Sequence, residues 1–269
     1  MQAQWHPAGC RTPSTLQGIE RRMPAYRNYF RRLYDVIETV IGSQSPQVET
    51  VADWMADSIA AKGVVHLFGS GHSHIVAEEV FHRAGSLLPL NPILDLNLTA
   101  LSTVNATRLE RTEGYGQVIA DSQDIRRGEI VFVISNSGVN PVPIDFARRC
   151  NQLGARTIGI TSVDNYRDMP SRHSSGKRLS DVVELAIDTH VPLGDALIEL
   201  PGKLQLVGGV STAVGVALIN AIVVETADVL LNRGIQPPVI PSMNVPDGDE
   251  IMAKLVDEYG DRLPLLRRA

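Results

Sequence analysis

A serine-rich segment near the middle of the chain, ISNSGVNP at 134–141, has the residue types that bind an anion such as phosphate without a metal. Serine hydroxyls donate hydrogen bonds to phosphate oxygens. Asn140 followed by Pro141 is typical of the start of a helix, where free N–H groups attract negative charge. The candidate ligands are Ser135, Asn136, Ser137, Gly138 and Asn140. The segment therefore predicts an anion-binding turn, and the alternative is an ordinary polar turn capped by Asn140.

A second segment of glycine and serine, GSGHSH at 69–74, follows an apolar run. Glycine lets the backbone approach a ligand closely, and Ser73 is placed to cap the next helix. The segment is not a dinucleotide-binding fingerprint because His74 stands where a third glycine is required. It is not a serine-hydrolase elbow because no glycine follows Ser73 by two residues. We expect Ser70, Gly71, Ser73 and His74 to complete the anion site, unless the glycines only form a turn.

Acidic and basic side chains continue into the helix predicted after this segment, up to residue 84. His74, Glu78 and His82 are spaced four apart, so they would share one side of that helix. Carboxylate and imidazole are common groups for moving protons during catalysis. Glu79 and His82 are therefore candidate catalytic residues, and the alternative is a charged face exposed to solvent.

The same part of the chain could instead hold zinc, since imidazoles and a carboxylate are zinc ligands. The residues concerned are His72, His74, Glu78 and His82. Their spacing differs from the metalloprotease pattern, and no cysteine lies nearby. We therefore predict no bound metal and no cofactor.

A basic loop, SRHSSGKR at 171–178, is predicted to follow a strand and to reach the ligand edge. In it, His173 is a candidate for a second acid–base group, and Lys177 or Arg172 would contact the anion of a substrate. The loop is not a P-loop, because no glycine stands five residues before Gly176 and Arg178 replaces the required serine or threonine. The alternative is a mobile basic loop on the surface.

Four short apolar runs have the composition of strands that are buried on both faces. They are Val64–Phe68, Ile130–Ile134, Thr157–Ile160 and Val182–Ile187. Helical segments such as Pro141–Leu153 separate them, and the alternation of strand and helix predicts an α/β fold with a parallel sheet. In such folds ligands bind outside the carboxyl ends of the strands, where both serine-containing segments begin.

The remaining elements are predicted from periodicity and composition. Residues 1–23 form a flexible leader, two helices (26–41 and 46–59) precede the first strand, a single domain spans 24–240, and 241–269 form a tail with a short helix. The first of the two helices stops at Gly42, and Ser45 with Pro46 begins the second. The stretch 196–232 is largely helical and very apolar, which predicts burial in the core or between subunits of a homo-oligomer.

The segments GSGHSH, ISNSGVNPVPIDFA and GARTIGITS resemble those of the SIS (sugar isomerase) domain family of phosphosugar isomerases and phosphosugar-binding regulators. The resemblance spans roughly residues 26–232. It implies a three-layer αβα sandwich with a five-stranded parallel sheet, of flavodoxin-like or Rossmann-like type. In that family the serines that match Ser135 and Ser137 bind the sugar phosphate, and Asn140 stands where phosphoheptose isomerases often carry one more serine.

The chain also departs from the phosphoheptose isomerases. Those enzymes carry a catalytic glutamate ten residues after the serine that matches Ser73, and Arg83 occupies that position here. We therefore hypothesise that Glu79, one helical turn earlier, is the base, and that Arg83 orients the substrate or lowers the pKa of that carboxyl. The catalytic histidine of those enzymes has no histidine counterpart in the helix at 210–225.

The composition of the chain limits the classes of partner it can bind and the cellular compartment in which it is expected. The 269 residues carry a net charge of −5, which gives no broad attraction to nucleic acid or to an anionic membrane. The first 23 residues lack the apolar stretch of a secretory signal, and Cys10 and Cys150 are expected to be reduced thiols in the cytoplasm. The apolar stretch Val207–Val224 contains polar residues such as Asn220, so we predict a buried helix rather than a membrane span.

The sequence thus predicts a cytoplasmic homo-oligomer that binds a small phosphorylated sugar and interconverts its aldose and ketose forms through an enediol. The alternative is a phosphosugar sensor without catalytic activity. Regulators of that kind usually carry a DNA-binding module, which two N-terminal helices and a negative net charge do not supply.

Overall fold

The computed structural model describes residues 23–202 and 205–266, apart from the side chain of Thr103. The strands are β1 (Val65–Gly69), β2 (Leu90–Ile93), β3 (Ile130–Ile134), β4 (Arg156–Thr161), β5 (Leu185–Asp188), β6 (Ala196–Ile198) and β7 (Val207–Gly209). The α-helices are α1 (Ala25–Ala60), α2 (His74–Glu79), α3 (Thr103–Leu109), α4 (Tyr115–Asp121), α5 (Pro141–Leu153), α6 (Ser211–Asn232) and α7 (Gly248–Tyr259).

A five-stranded parallel sheet in the order β2-β1-β3-β4-β5 forms the middle layer. Apolar residues of α1, α2 and α6 pack in one cluster on the first face of the sheet, and those of α4 and α5 pack on the second face. This architecture confirms the predicted α/β fold, a three-layer αβα sandwich. Its carboxyl edge, where the strands end, is the predicted place for a ligand.

Strand β2 was not located from the sequence. Its four residues, LNPI, include an asparagine and Pro92, which weaken any strand signal. Proline is tolerated at the edge of a sheet, where one side of the strand has no ladder partner. The run Val182–Ile187 was placed too early, because a 3₁₀ turn at Leu179–Asp181 precedes β5, which begins only at Leu185.

The prediction of two N-terminal helices is wrong. One helix, α1, runs for 36 residues through Gly42 and through Pro46. The hydroxyl of Ser45 does not cap a second helix but donates to the carbonyl of Ile41 at 2.7 Å. Apolar residues from both halves of α1, including Val40 and Val51, lie in one cluster with α6. This shared packing offsets the backbone hydrogen bond that proline cannot donate.

The prediction that the stretch 196–232 is largely helical is correct for its second part and wrong for its first part. Its first part contains the antiparallel pair of β6 and β7, and among its described residues only those of α6 are helical. Within the described residues, α6 is the one helix that is long and apolar enough to cross a membrane. Its buried residues, among them Leu218 and Ile222, pack against α1 and the sheet as predicted. Val224 and Leu231 remain exposed, and the homo-oligomer remains a prediction.

The C-terminal segment closes over the amino edge of the sheet. Residues of α7 and of the turn after it share an apolar cluster with Val64 and Leu88. Below that cluster the buried carboxylate of Glu129 accepts hydrogen bonds from Arg262 at 2.9 Å and from the backbone N–H of Val64 at 2.9 Å. The C-terminal segment therefore covers the amino ends of β1, β2 and β3.

Candidate functional site

A crevice at the carboxyl edge lies between the strands and the first turn of α6. Its lining residues are Ser73, Val76, Ile134, Asn136, Ile160, Thr189, Ser211, Thr212 and Gly215. Ser73 and Asn136 were predicted from the sequence. Thr189 follows β5, and Ser211 and Thr212 begin α6; these three residues were missed. A polar residue directly after a buried strand was the available signal for Thr189.

Two buried polar atoms in this crevice have no hydrogen-bond partner among the described residues. They are Thr189 Oγ1 and Asn136 Oδ1, and the Thr189 residue is 4% exposed. An unsatisfied buried polar atom costs free energy that a polar ligand would recover. Either atom suits a hydroxyl group of a ligand, because a hydroxyl donates to an amide oxygen such as that of Asn136 and accepts from a hydroxyl such as that of Thr189.

The start of α6 already has a carboxylate bound to it. Asp195 Oδ1 accepts from the backbone N–H groups of Val210 and Ser211, at 3.1 and 2.7 Å, and Asp195 Oδ2 accepts from the Ser211 hydroxyl at 2.9 Å. A carboxylate at a helix N-terminus offsets the positive end of the helix dipole. The crevice beside α6 is therefore better suited to neutral hydroxyl groups than to an anion.

The serine-rich turn between β3 and α5 is better suited to an anion than the crevice beside α6 is. In the part of the chain that the structure describes, the backbone N–H groups of 136–140 make no hydrogen bond, and the hydroxyls of Ser135 and Ser137 have no partner. Gly138 takes the left-handed conformation, with φ of +63°. Consecutive free N–H groups around such a residue form a concave anion-binding surface. The turn also precedes the positive end of the 13-residue helix α5.

Gly138→Ala is expected to distort this turn. A Cβ at residue 138 would lie 2.8 Å from Thr161 Oγ1, in a conformation that alanine adopts with strain. We expect a loss of about 2 kcal/mol in the free energy of unfolding, measured by urea denaturation. Gly176→Ala is the matched control, because its φ of +69° is similar and its Cβ would meet no atom within 4 Å. An equal loss in both variants would contradict the close contact.

The turn after β1 holds a carboxylate that the sequence analysis missed. The Ser70 hydroxyl donates to Glu110 Oε1 at 2.6 Å, so its proton is not free for a phosphate oxygen. Gly71 is left-handed, with φ of +57°, and its N–H donates to the carbonyl of Leu98 at 2.7 Å. Gly71, exposed His72 and half-buried Glu110 line a cavity of about 380 Å³.

Helix α2 is shorter than predicted and ends at Glu79. Imidazole Nδ1 of buried His74 donates to the carbonyl of Gly71, and its Nε2 lies 3.3 Å from Glu78. The prediction that His82 continues this stripe is wrong, because His82 lies beyond the helix in a turn, with φ of +49°. The chain turns there because residues 85–88 pair with the segment 238–240.

Glu79 and Arg83 form the predicted ion pair, with 2.7 Å between Oε1 and Nη1. Helix α2 begins at the carboxyl edge, and the chain after it reaches the amino edge, where the N–H of Gly85 donates to Ile240. With a rise of about 1.5 Å per residue, Glu79 lies about 8 Å along the axis from His74. Neither Glu79 nor Arg83 lines the crevice or the cavity described above.

The basic loop at 171–178 packs along the start of α5. Arg172 donates through Nη1 to Asn140 Oδ1 at 2.7 Å, so the Asn140 side chain contacts this loop and does not cap α5. His173 is buried, with Nε2 2.9 Å from Asp145 Oδ1 and Nδ1 accepting from the N–H of Ser175 at 3.0 Å. Both ring nitrogens are therefore occupied, which is contrary to the expected acid–base role.

Lys177 is exposed, and its side chain makes no ion pair with a described residue. The burial of Cys150 raises the pKa of its thiol to about 12, so this thiol is not a nucleophile at neutral pH. Cys10 lies outside the described residues.

The suspected metal ligands do not converge. Within 23–202 and 205–266, a single group of histidine and carboxylate side chains brings its ligand atoms within 4.8 Å of one another, and it consists of Asp164, Asp188 and His190. Asp188 already accepts three backbone N–H groups, from Val163, Asp164 and His190. Its carboxylate therefore holds the loops after β4 and β5 together.

Comparisons with known proteins identify the family. The SIS domain family matches residues 28–162. The chain is 38% identical to UPF0309 protein GK1441 of Geobacillus kaustophilus, over 88% of this chain and 95% of that protein. It is 39% identical to UPF0309 protein lin2794 of Listeria innocua, over 89% and 97% of the two chains. This chain belongs to the SIS domain family.

A solved SIS structure has the same fold. The phosphoheptose isomerase GmhA of Neisseria gonorrhoeae superposes with a TM-score of 0.51 at 14% identity, over 76% of this chain and 97% of that chain. The crevice and the serine-rich turn of the present SIS domain lie at the carboxyl edge of its sheet. Helix α6, which flanks the crevice, contains no histidine.

Proposed function

We propose that this SIS domain binds a small phosphorylated sugar at the carboxyl edge of its sheet and interconverts the aldose and ketose forms of that sugar. The observation that carries the proposal is the serine-rich turn at 135–138. Its two free hydroxyls and its free N–H groups stand at the positive end of α5. Donors in this arrangement bind a phosphate dianion without a metal.

The crevice beside α6 supplies the complementary part of such a ligand. Its unpartnered atoms, Asn136 Oδ1 and Thr189 Oγ1, suit a hydroxyl group. Asp195 makes the start of α6 unfavourable for a second anion. The polar groups of these two surfaces therefore match the chemistry of a sugar monophosphate, which has one dianionic end and several neutral hydroxyls.

Isomerisation requires a base that removes a proton from the carbon next to the carbonyl and returns it to the neighbouring carbon. The sequence hypothesis places this base at Glu79, whose carboxylate pairs with Arg83. The structure adds Glu110, whose carboxylate lies beside the first serine after β1. Both side chains are carboxylates, so the reaction class is the same for either.

The experiment is a thermal-shift screen of pentose, hexose and heptose monophosphates, followed by NMR of the ligands that bind. We expect one sugar phosphate to raise the melting temperature by several degrees at saturating concentration, because a ligand that binds only the folded state stabilises it. NMR in deuterium oxide should then show conversion of aldose to ketose, with deuterium at the carbon next to the carbonyl.

The controls are the same sugars without phosphate, and inorganic phosphate alone. A shift of equal size with the unphosphorylated sugars would contradict phosphate recognition. Binding without conversion would leave the sensor function as the explanation. If no sugar phosphate in the panel shifts the melting temperature, the proposed ligand class is wrong.

A further inference from the structure

We propose that Glu110 is the general base of the isomerisation. This inference rests on the proposed function and assigns a residue to its central step. The carboxylate of Glu110 is held at the carboxyl edge, because its Oε1 accepts the Ser70 hydroxyl at 2.6 Å. Its backbone carbonyl accepts the N–H of Val142, in the first turn of α5, at 3.1 Å. Glu110 is thus attached to both loops of the site.

The register of the sheet places Glu110 close to the serine-rich turn. Gly69 of β1 is paired with Ile134 of β3, so the next residues, Ser70 and Ser135, follow side by side. Neighbouring strands are about 4.8 Å apart. Phe68 and Val133 both pack in the cluster that covers the second face of the sheet. By strand alternation, the side chains of Ser70 and Ser135 point toward that same face.

Glu110 is accessible to a ligand. It is half-buried and lines the cavity of about 380 Å³ together with Gly71 and His72. Among the described residues no hydrogen bond reaches its Oε2, and no cation forms an ion pair with it. One oxygen of the carboxylate is therefore fixed by Ser70, and the other is free to take a proton.

The other acidic and basic candidates already form ion pairs or hydrogen bonds within the protein. Glu79 is paired with Arg83, about 8 Å along α2 from the carboxyl edge. Asp195 binds the start of α6 through both oxygens. His173 Nε2 lies 2.9 Å from Asp145 Oδ1 of α5, so these two side chains are paired with each other. Of these acid–base groups, Glu110 combines a fixed position at the edge with an oxygen open to the cavity.

The proposed step begins with the open-chain aldose. Glu110 removes the proton from C2, the electrons of that C–H bond form the C1=C2 double bond, and the carbonyl oxygen at C1 takes a proton from His72, which lines the same cavity. This gives a neutral enediol. His72 then takes the proton from the C2 hydroxyl, C2 becomes the carbonyl carbon, and C1 receives a proton from Glu110 after the open oxygen of that carboxyl has exchanged its proton with solvent. The ketose is formed, and both side chains return to their starting states.

The test compares Glu110→Gln, Glu79→Gln and Glu184→Gln in the full chain, with the sugar phosphate that binds most tightly in the screen. Glutamine at 110 can still accept the Ser70 hydroxyl, so the melting temperature should stay near that of the wild type. Glu184 is an exposed partner of Arg156 at the amino edge and is the matched control. The readouts are the dissociation constant, kcat, and the incorporation of solvent deuterium at C1 and C2.

We expect Glu110→Gln to lower kcat and deuterium incorporation at least 100-fold, with a dissociation constant within about threefold of the wild type. The unchanged dissociation constant and melting temperature distinguish loss of the base from loss of a merely structural contact. Unchanged deuterium incorporation in Glu110→Gln overturns the proposal, whatever Glu79→Gln does. If the wild type binds the sugar phosphate and incorporates no deuterium, the proposed isomerase function is wrong. The role proposed for Glu110 is then wrong as well, because it depends on that function.

Discussion

Replacing both Ser135 and Ser137 by alanine is expected to weaken the binding of a sugar phosphate about 100-fold. Neither hydroxyl has a partner among the described residues, so the substitutions remove donors to the ligand and break no hydrogen bond within the described part of the protein. A hydrogen bond to a charged group contributes about 1.5–3 kcal/mol. Two such bonds contribute about 3 kcal/mol at the lower limit, which corresponds to roughly two decades in the dissociation constant.

Isothermal titration calorimetry with the sugar phosphate found in the screen measures this effect. The same titration with Ser122→Ala is the control, because the Ser122 hydroxyl bonds to the carbonyl of Ile119 at the end of α4. The weak binding of the unphosphorylated sugar should be the same in the double variant and in the wild type. A dissociation constant for the phosphate that stays within threefold of the wild type would show that phosphate binds elsewhere.

The parts of this site that could be predicted are those whose signal is local in sequence. The serine-rich turn follows Ile130–Ile134, an apolar strand whose predicted limits agree with the structure. Gly138 and Pro141 then mark the left-handed turn and the helix start. In such a segment the side chains, the turn and the next element all indicate the same conformation. Local consistency of this kind is the reason why the turn and the start of α5 can be predicted from the sequence.

The parts that could not be predicted depend on contacts between distant residues. Glu110 contacts Ser70 across 40 positions of sequence, and no local pattern marks this residue directly after α3. Thr189, Ser211 and Thr212 come together only because β5 and α6 end at the same crevice. Helix α1 continues through Pro46 because α6 packs along both of its halves. Tertiary packing of this kind overrides local propensity.

The largest expected effect on stability lies at the opposite edge of the sheet, in Glu129→Gln. Glu129 is 3% exposed, and its carboxylate accepts hydrogen bonds from Arg262 and from the backbone N–H groups of Val64 and Arg126. His66 Nε2 lies 3.2 Å from Glu129 Oε2. The substitution leaves the positive charge of Arg262 with a neutral partner. Loss of one member of a buried ion pair costs about 3–5 kcal/mol, and we expect about 3 kcal/mol because Asp124 still contacts Arg262.

The same carboxylate makes the stability depend on pH. Burial alone would raise the pKa of Glu129, but the hydrogen bonds from His66 and from the backbone of Val64 and Arg126 outweigh burial and lower that pKa. A folded-state pKa below the unfolded value of about 4.3 means that the unfolded chain binds the proton first as the pH falls. The stabilisation is therefore present above about pH 4.3 and is lost as the pH falls through the lower, folded-state pKa.

Urea unfolding of the wild type and of Glu129→Gln between pH 3 and pH 7 measures both effects. We expect a difference of about 3 kcal/mol at pH 7 that narrows below pH 4, because the variant has no carboxyl at this position to titrate. Glu258→Gln is the control, since Glu258 forms an exposed pair with Lys62 in the same C-terminal region and should change the free energy of unfolding by less than about 1 kcal/mol. A difference that stays constant down to pH 3 would mean that Glu129 stabilises the fold by its shape and packing, and that its charge contributes nothing.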